Sequence, residues 1–127
     1  MENPWRGIEL GQVIAERRLF LDGAETVRVL IGQPQLARTP HPESACPWRI
    51  EGIGAGAVRY ACGIDQVQAL WLALQMIGAT LHASEEYHAG RLNCFADGDD
   101  DGDLGFPVPP GTEDFLLRRN HDRSVTP

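Results

Sequence analysis

Five aspartates, Asp97, Asp99, Asp100, Asp101 and Asp103, crowd the segment Cys94–Phe106. Asp97, Asp99 and Asp101, followed by Gly102, match positions 1, 3, 5 and 6 of a calcium loop. That loop needs carboxylate ligands, a glycine for its sharp turn and a bidentate glutamate at position 12. Leu104 suits position 8, but position 12 is Val108, and prolines replace the exiting helix. Half a calcium loop is therefore present. Asp97, Asp99, Asp101 and Asp103 are the candidate ligands for a weakly held divalent ion, and calcium is the only cofactor the sequence raises. The competing expectation is a loop kept open and hydrated by mutual repulsion of its carboxylates.

The cations are distributed differently. All 11 basic residues are arginine and lysine is absent, which excludes a catalytic lysine, a Schiff base or a P-loop lysine. Arg18, Arg28, Arg49 and Arg59 fall on the polar phase of alternating segments and are expected to project from one sheet face. Guanidinium forks clustered in this way suit carboxylates, phosphates or a protein partner. Glu16 and Glu51 share that phase, so the same pattern also reads as a salt-bridged, solvated surface. The net charge of −7 argues against nucleic acid, which needs a basic surface.

Nucleophile and metal signatures are weak elsewhere. Cys46, Cys62 and Cys94 lack C-x-x-C spacing and read as free thiols; a Cys46–Cys62 bridge would require their strands to pair. His41, His82, His88 and His121 lack the i, i+4 spacing of a helical zinc site. There is no P-loop, dinucleotide fingerprint or nucleophile elbow. An enzyme is thus the least expected class.

The elements that must carry these residues follow from periodicity. Residues 13–21 and 25–31 alternate as strands around Asp22-Gly23, a strong hairpin signal. Val27, Val29 and Ile31 are expected inward, Arg28 and Leu30 outward. Gly32 to Pro47 holds four prolines and reads as an exposed loop. Residues 48–53 and 57–62 form a second hairpin around Gly54-Ala55-Gly56, with Val58 and Tyr60 inward and Arg59 outward. Asp65 and Gln68 resemble a capping box. The helix behind them is expected to run to the high eighties, with Gly78 a tolerated weak point and Gly90 the stop. Val67, Leu70, Trp71, Leu74, Ile77 and Leu81 are its expected core face. Residues 91–95 add a short fifth strand. The expected class is α+β: a four-stranded antiparallel sheet of two hairpins on one long helix, in the order β-β-β-β-α. Residues 1–12 read as an N-terminal extension, 13–108 as the domain and 109–127 as a tail.

From Gln66 to Ser84 the helix carries no Asp, Glu, Lys or Arg. Leu72 and Met76 lie one turn apart on its flank, outside the core stripe. A surface helix normally has a charged back, so this collar calls for cover. Phe115, Leu116 and Leu117 of the tail could supply it, or a second copy through the helix or a sheet edge.

The segments Ala15–Leu19 (AERRL), Cys46–Gly54 (CPxRIxGxG), Gly63–Leu81 (GxDxxQALxxALxxIGxxL) and Gly102–Pro107 (GDLGFP) resemble an uncharacterised family of short bacterial proteins. The resemblance implies a fold for residues 13–108 and transfers no catalytic residue. The opening residues lack a basic start followed by an apolar run, and no stretch approaches the roughly 20 apolar residues of a membrane span. The expected setting is the cytoplasm. The expected function is non-enzymatic binding of another protein, either as an immunity-like domain or by self-association as a homodimer. The alternative is a small-ligand or divalent-metal-binding protein using the arginine face or the aspartate loop. Neither membrane nor nucleic acid is an expected partner. Arg18, Arg28, Arg49, Arg59, Leu72 and Met76 are the expected partner-binding residues.

Overall fold

Asp22 and Gly23 both adopt positive φ, 54° and 81°, the backbone demanded by a two-residue hairpin turn. They join β1 (Val13–Leu21) to β2 (Ala24–Gly32), as the alternation predicts. The computed structural model describes residues 3–37, 42–96 and 102–108 of the chain. Within them follow β3 (Gln35–Ala37), β4 (Glu43–Glu51), β5 (Arg59–Gly63), α1 (Gln66–His82), α2 (Glu85–His88) and β6 (Leu92–Asn93). The class is α+β with an antiparallel sheet. Among the described residues it has six strands rather than four, in the order β3-β4-β2-β1-β6, with β5 on the other edge of β4.

The two additional features at β3 and β4 have one cause. β2 pairs with Trp48–Glu51 of β4, and β3 pairs with Glu43–Ala45 of the same strand. β3 thus resumes the path of β2 after a break at Gln33-Pro34. Pro47 lies between the two registers, where ladder pairing is already interrupted and a missing N–H is tolerated. The proline-rich stretch expected to be a loop is therefore partly sheet.

Cys46, Trp48 and Ile50 point to the inner face with Val27, Val29 and Ile31, and all six are buried. The outer face is covered in part by residues 3–12. The buried Trp5 donates from its indole Nε1 to Glu43 Oε1 (2.5 Å), and Asn3 Nδ2 donates to the Tyr60 hydroxyl (2.8 Å). This extension therefore packs on the sheet.

A helix about 10 Å wide spans roughly two strands spaced 4.8 Å apart. Accordingly α1 packs on β4 and β5. The inner face of β1 and β2 is closed by other residues: Tyr87, Leu92, Leu104 and Phe106 join Leu19, Val27 and Val29 in one core. The chain after the aspartate run returns to the fold, with Leu104 fully buried, rather than leaving it as a hydrated exit.

α1 begins as expected, with Asp65 Oδ1 accepting from Gln68 N (2.8 Å) and Gln68 Oε1 from Ile64 N (2.7 Å). Its end differs. Ser84 Oγ donates to Leu81 O (2.7 Å) and accepts from Tyr87 N (3.2 Å). That local capping splits the expected single helix into α1 and α2. The core stripe also differs: Ala69, Ala73, Ile77 and Leu81 face the sheet, whereas Val67 and Trp71 are exposed by 77% and 53%. Alanines let the helix axis approach the sheet closely, and the bulkier side chains are turned outward.

Candidate functional site

The outer sheet face carries three of the four expected arginines. Arg18 lies opposite Arg28 across β1 and β2, Arg28 opposite Glu51, and Leu30 opposite Arg49. Each guanidinium already has a carboxylate. Arg18 reaches Glu16 (3.2 Å) and Glu25 (3.6 Å), Arg28 reaches Glu16 (2.8 Å) and Glu51 (3.1 Å), and Arg49 reaches Glu51 (3.4 Å). Leu30, opposite Glu16 and Arg49 in this ladder, is buried on the nominally solvent side. The hydrogen bond from Arg28 is the main cause holding the Glu16 carboxyl below its ordinary value; burial opposes it, and the bond from Arg18 adds to the lowering. A depressed carboxylate pKa stabilises the fold above the unfolded value, and that contribution disappears as pH falls through the folded value. In an Arg28→Ala variant the Glu16 carboxyl carbon, followed by NMR titration, is expected to move back toward the usual glutamate range. An unchanged titration would contradict the ladder.

Arg59 is not part of this face. It pairs with Trp48 across β4 and β5, and its guanidinium carbon stands 5.9 Å from the Trp48 ring centroid on the helix side. The expected phase of this strand was one residue out. Ala61 rather than Tyr60 faces inward, because the helix presents Ala69 and Ala73 there and leaves room for a small side chain only. The same register separates the cysteines: Cys62 lies opposite Ala45 and Cys46 opposite Ala61, so the two thiols point to opposite faces. Cys46 and Cys62 are free thiols. Burial raises the Cys46 thiol to about 11, and burial with nearby Glu43 raises Cys62, so neither is primed as a nucleophile.

Leu72 and Met76 do come together. With Trp71, Gln75, Tyr60 and Cys62 they line a groove between α1 and β5. Among the described residues β5 pairs with β4 alone, so its other edge keeps unpaired backbone groups. An uncharged helix flank, an open strand edge and an apolar groove thus adjoin one another. Phe115, Leu116 and Leu117, expected as internal cover, lie outside the described residues.

The aspartate loop is divided. Asp97, Asp99 and Asp101 lie outside the described residues, as do His41 and His121. Asp103 is described, and its Oδ1 accepts from Gly105 N (2.7 Å), a turn-forming role. Among the described residues no group of three or more His, Cys, Asp or Glu side chains could hold a metal ion. No described helix is long and apolar enough to cross a membrane.

Two residues carry roles that the sequence did not reveal. Arg17, facing inward opposite Val29, donates from Nη1 to the carbonyl oxygens of Leu104 (3.1 Å) and Gly105 (2.6 Å). Its guanidinium also lies 4.7 Å from the centre of the Phe106 ring. Trp48 is the other. It forms part of the wall of a cavity of about 580 Å³ at the C-terminal end of α1, lined also by Ile50, Ile53, Arg59 and Glu86. No sequence signal marks either role, since an arginine among apolar residues and a strand tryptophan both have ordinary structural uses.

No curated protein and no solved structure matches the chain. Residues 15–108 match a domain of unknown function, DUF6968, and the chain belongs to that family.

Proposed function

We propose that the protein is a non-catalytic binding domain that self-associates through α1 and the open edge of β5. One observation carries this reading: Leu72, Met76 and the half-exposed Trp71 border a groove beside an unpaired strand edge, on a helix without Asp, Glu, Lys or Arg. Natural edge strands are usually guarded by charges, bulges or cover. Here only Arg59 at one end of β5 is charged. A second copy is favoured over an oppositely charged partner because the patch is uncharged and self-complementary. A two-fold contact can therefore bring two helices together with little local repulsion, despite the acidic chain. The paired arginine ladder, with its cations already neutralised, makes a weaker docking face.

Light scattering over a range of concentrations tests the proposal. The wild type is expected to dimerise, and Met76→Arg, which places a cation on a 41%-exposed position, to remain monomeric with an unchanged circular dichroism spectrum. A wild type that stays strictly monomeric at high concentration would sink the reading.

A further inference from the structure

The last of the described residues stand at the groove between α1 and β5. Pro107 and Val108 are themselves part of its wall, together with Tyr60, Trp71, Leu72 and Met76. Pro107 packs closely there, since its carbonyl oxygen occupies the space that a β-carbon on Gly78 would need. Leu104 and Phe106, both buried, hold the preceding residues in the core. The tail, residues 109–127, therefore sets out from the Gly78–Ala79 end of the groove.

Its length and chemistry suit the groove. Trp71 lies seven residues before Gly78, about 10 Å back along the helix axis. Phe115 stands seven residues beyond Val108, a reach of at most about 25 Å, so it can arrive anywhere along the groove. Pro109 and Pro110 restrict the intervening backbone and lower the entropy lost on docking. Phe115-Leu116-Leu117 is the one run of large apolar residues in the tail, with Glu113 and Asp114 before it and Arg118 and Arg119 after. No charged residue lines the groove, so the apolar triplet can be buried while its charged flanks stay in water. A tethered segment meets its site at an effective concentration on the order of millimolar, whereas a second copy competes only at its own concentration.

We propose that the groove is the docking site for Phe115, Leu116 and Leu117 of the same chain, which cover it in the monomer and must leave before a second copy can pair. The competition rests on the self-association proposed above; the docking rests on the groove and the tail alone.

The test uses the full chain with Phe115→Ser, Leu116→Ser and Leu117→Ser combined, all outside the family domain of residues 15–108. Trp5 and Trp48 are 5% and 1% exposed and Trp71 is 53% exposed, so acrylamide quenching of tryptophan fluorescence reads chiefly the groove. In wild type diluted until light scattering gives a monomer, Trp71 is expected to be shielded. The triple variant is expected to lose that shielding with an unchanged circular dichroism spectrum. Because both copies must vacate their grooves, the variant should also dimerise at about tenfold lower concentration or below. Equal quenching of the two monomers overturns the docking, whatever light scattering says of the dimer. Shielding that disappears as the wild-type dimer dissociates assigns the cover to a second copy and overturns it too. Shielding with unchanged dimerisation overturns the competition. Shielding in the monomer with no dimer of either chain supports the docking and sinks self-association alone.

Discussion

Gly78→Ala is expected to lower stability by about 2–3 kcal/mol, although alanine is the better helix former by about 1 kcal/mol. Gly78 is buried near the C-terminal end of α1, and a β-carbon built there would overlap the Pro107 carbonyl oxygen, with the Phe106 side chain next in line. The obstacle is backbone, which cannot rotate away as a flexible side chain could. The variant must therefore push residues 104–108 off the helix or shift α1 from the sheet. Either movement loosens Leu104 and Phe106, which close the inner face over β1 and β2. Chemical denaturation measures the loss. A variant as stable as the wild type, or more so, would show that helix propensity outweighs the contact and that the 102–108 segment is not held against α1. The neighbouring hydrogen bond from His82 Nδ1 to Gly78 O (2.6 Å) is retained by the substitution, so the effect isolates the added methyl group.

This glycine shows where sequence reading succeeds and where it stops. Local chemistry was legible: Asp22-Gly23 specifies a tight turn, Asp65 a helix start, and the β1–β2 alternation a half-buried hairpin. Each depends on residues within a few positions of one another. The misreadings arose where a distant part of the chain decides the outcome. Gly78 read as a weak point in a helix, whereas it gives Pro107 room, nearly thirty residues later. Helical spacing puts the large residues Val67 and Trp71 on the core stripe, because hydrophobicity says nothing about how close a helix must come to a sheet. Ala69 and Ala73 win that position by being small. In β5 the same closeness puts Ala61 inward and shifts the strand by one residue, and that moves Arg59 from the expected arginine face to the cavity. A period of two makes strand faces all-or-none, so a single misplaced residue reassigned a candidate binding group. Pro47 concealed β4 because the interruption that tolerates it is made by β2 and β3, not by its own neighbours. Of the candidate surfaces, the Leu72–Met76 flank was legible as a helical spacing. The Trp48 cavity was not, since a cavity is a property of packing and not of residue type.

Arg17→Ala is expected to cost about 2 kcal/mol, a large effect for a side chain that is largely exposed. Two carbonyl oxygens, of Leu104 and Gly105, accept from a single guanidinium nitrogen, and hydrogen bonds to a charged donor contribute about 1.5–3 kcal/mol. The face of Phe106 beneath the same group adds about 0.5–1 kcal/mol. Solvent screening keeps the sum near the lower end of these ranges. What the arginine holds matters more than its own bonds. No regular element in residues 102–108 pairs them to the sheet, so Leu104 and Phe106 reach the core from a segment anchored by side chains. Tyr87 secures the near end, its hydroxyl donating to Gly102 O (2.8 Å), and Arg17 the middle. With Arg17 removed, amide protons around Leu104 are expected to exchange faster while those of the β1–β2 hairpin change less, because local detachment precedes global unfolding. Arg17→Lys should recover only part of the loss, since an ammonium has no planar group to lie on Phe106 while it serves both carbonyls. A double-mutant cycle with Phe106→Leu is expected to give a coupling of about 0.5–1 kcal/mol. Additive losses would mean that the guanidinium merely lies near the ring, leaving the two carbonyls as the whole of the anchor.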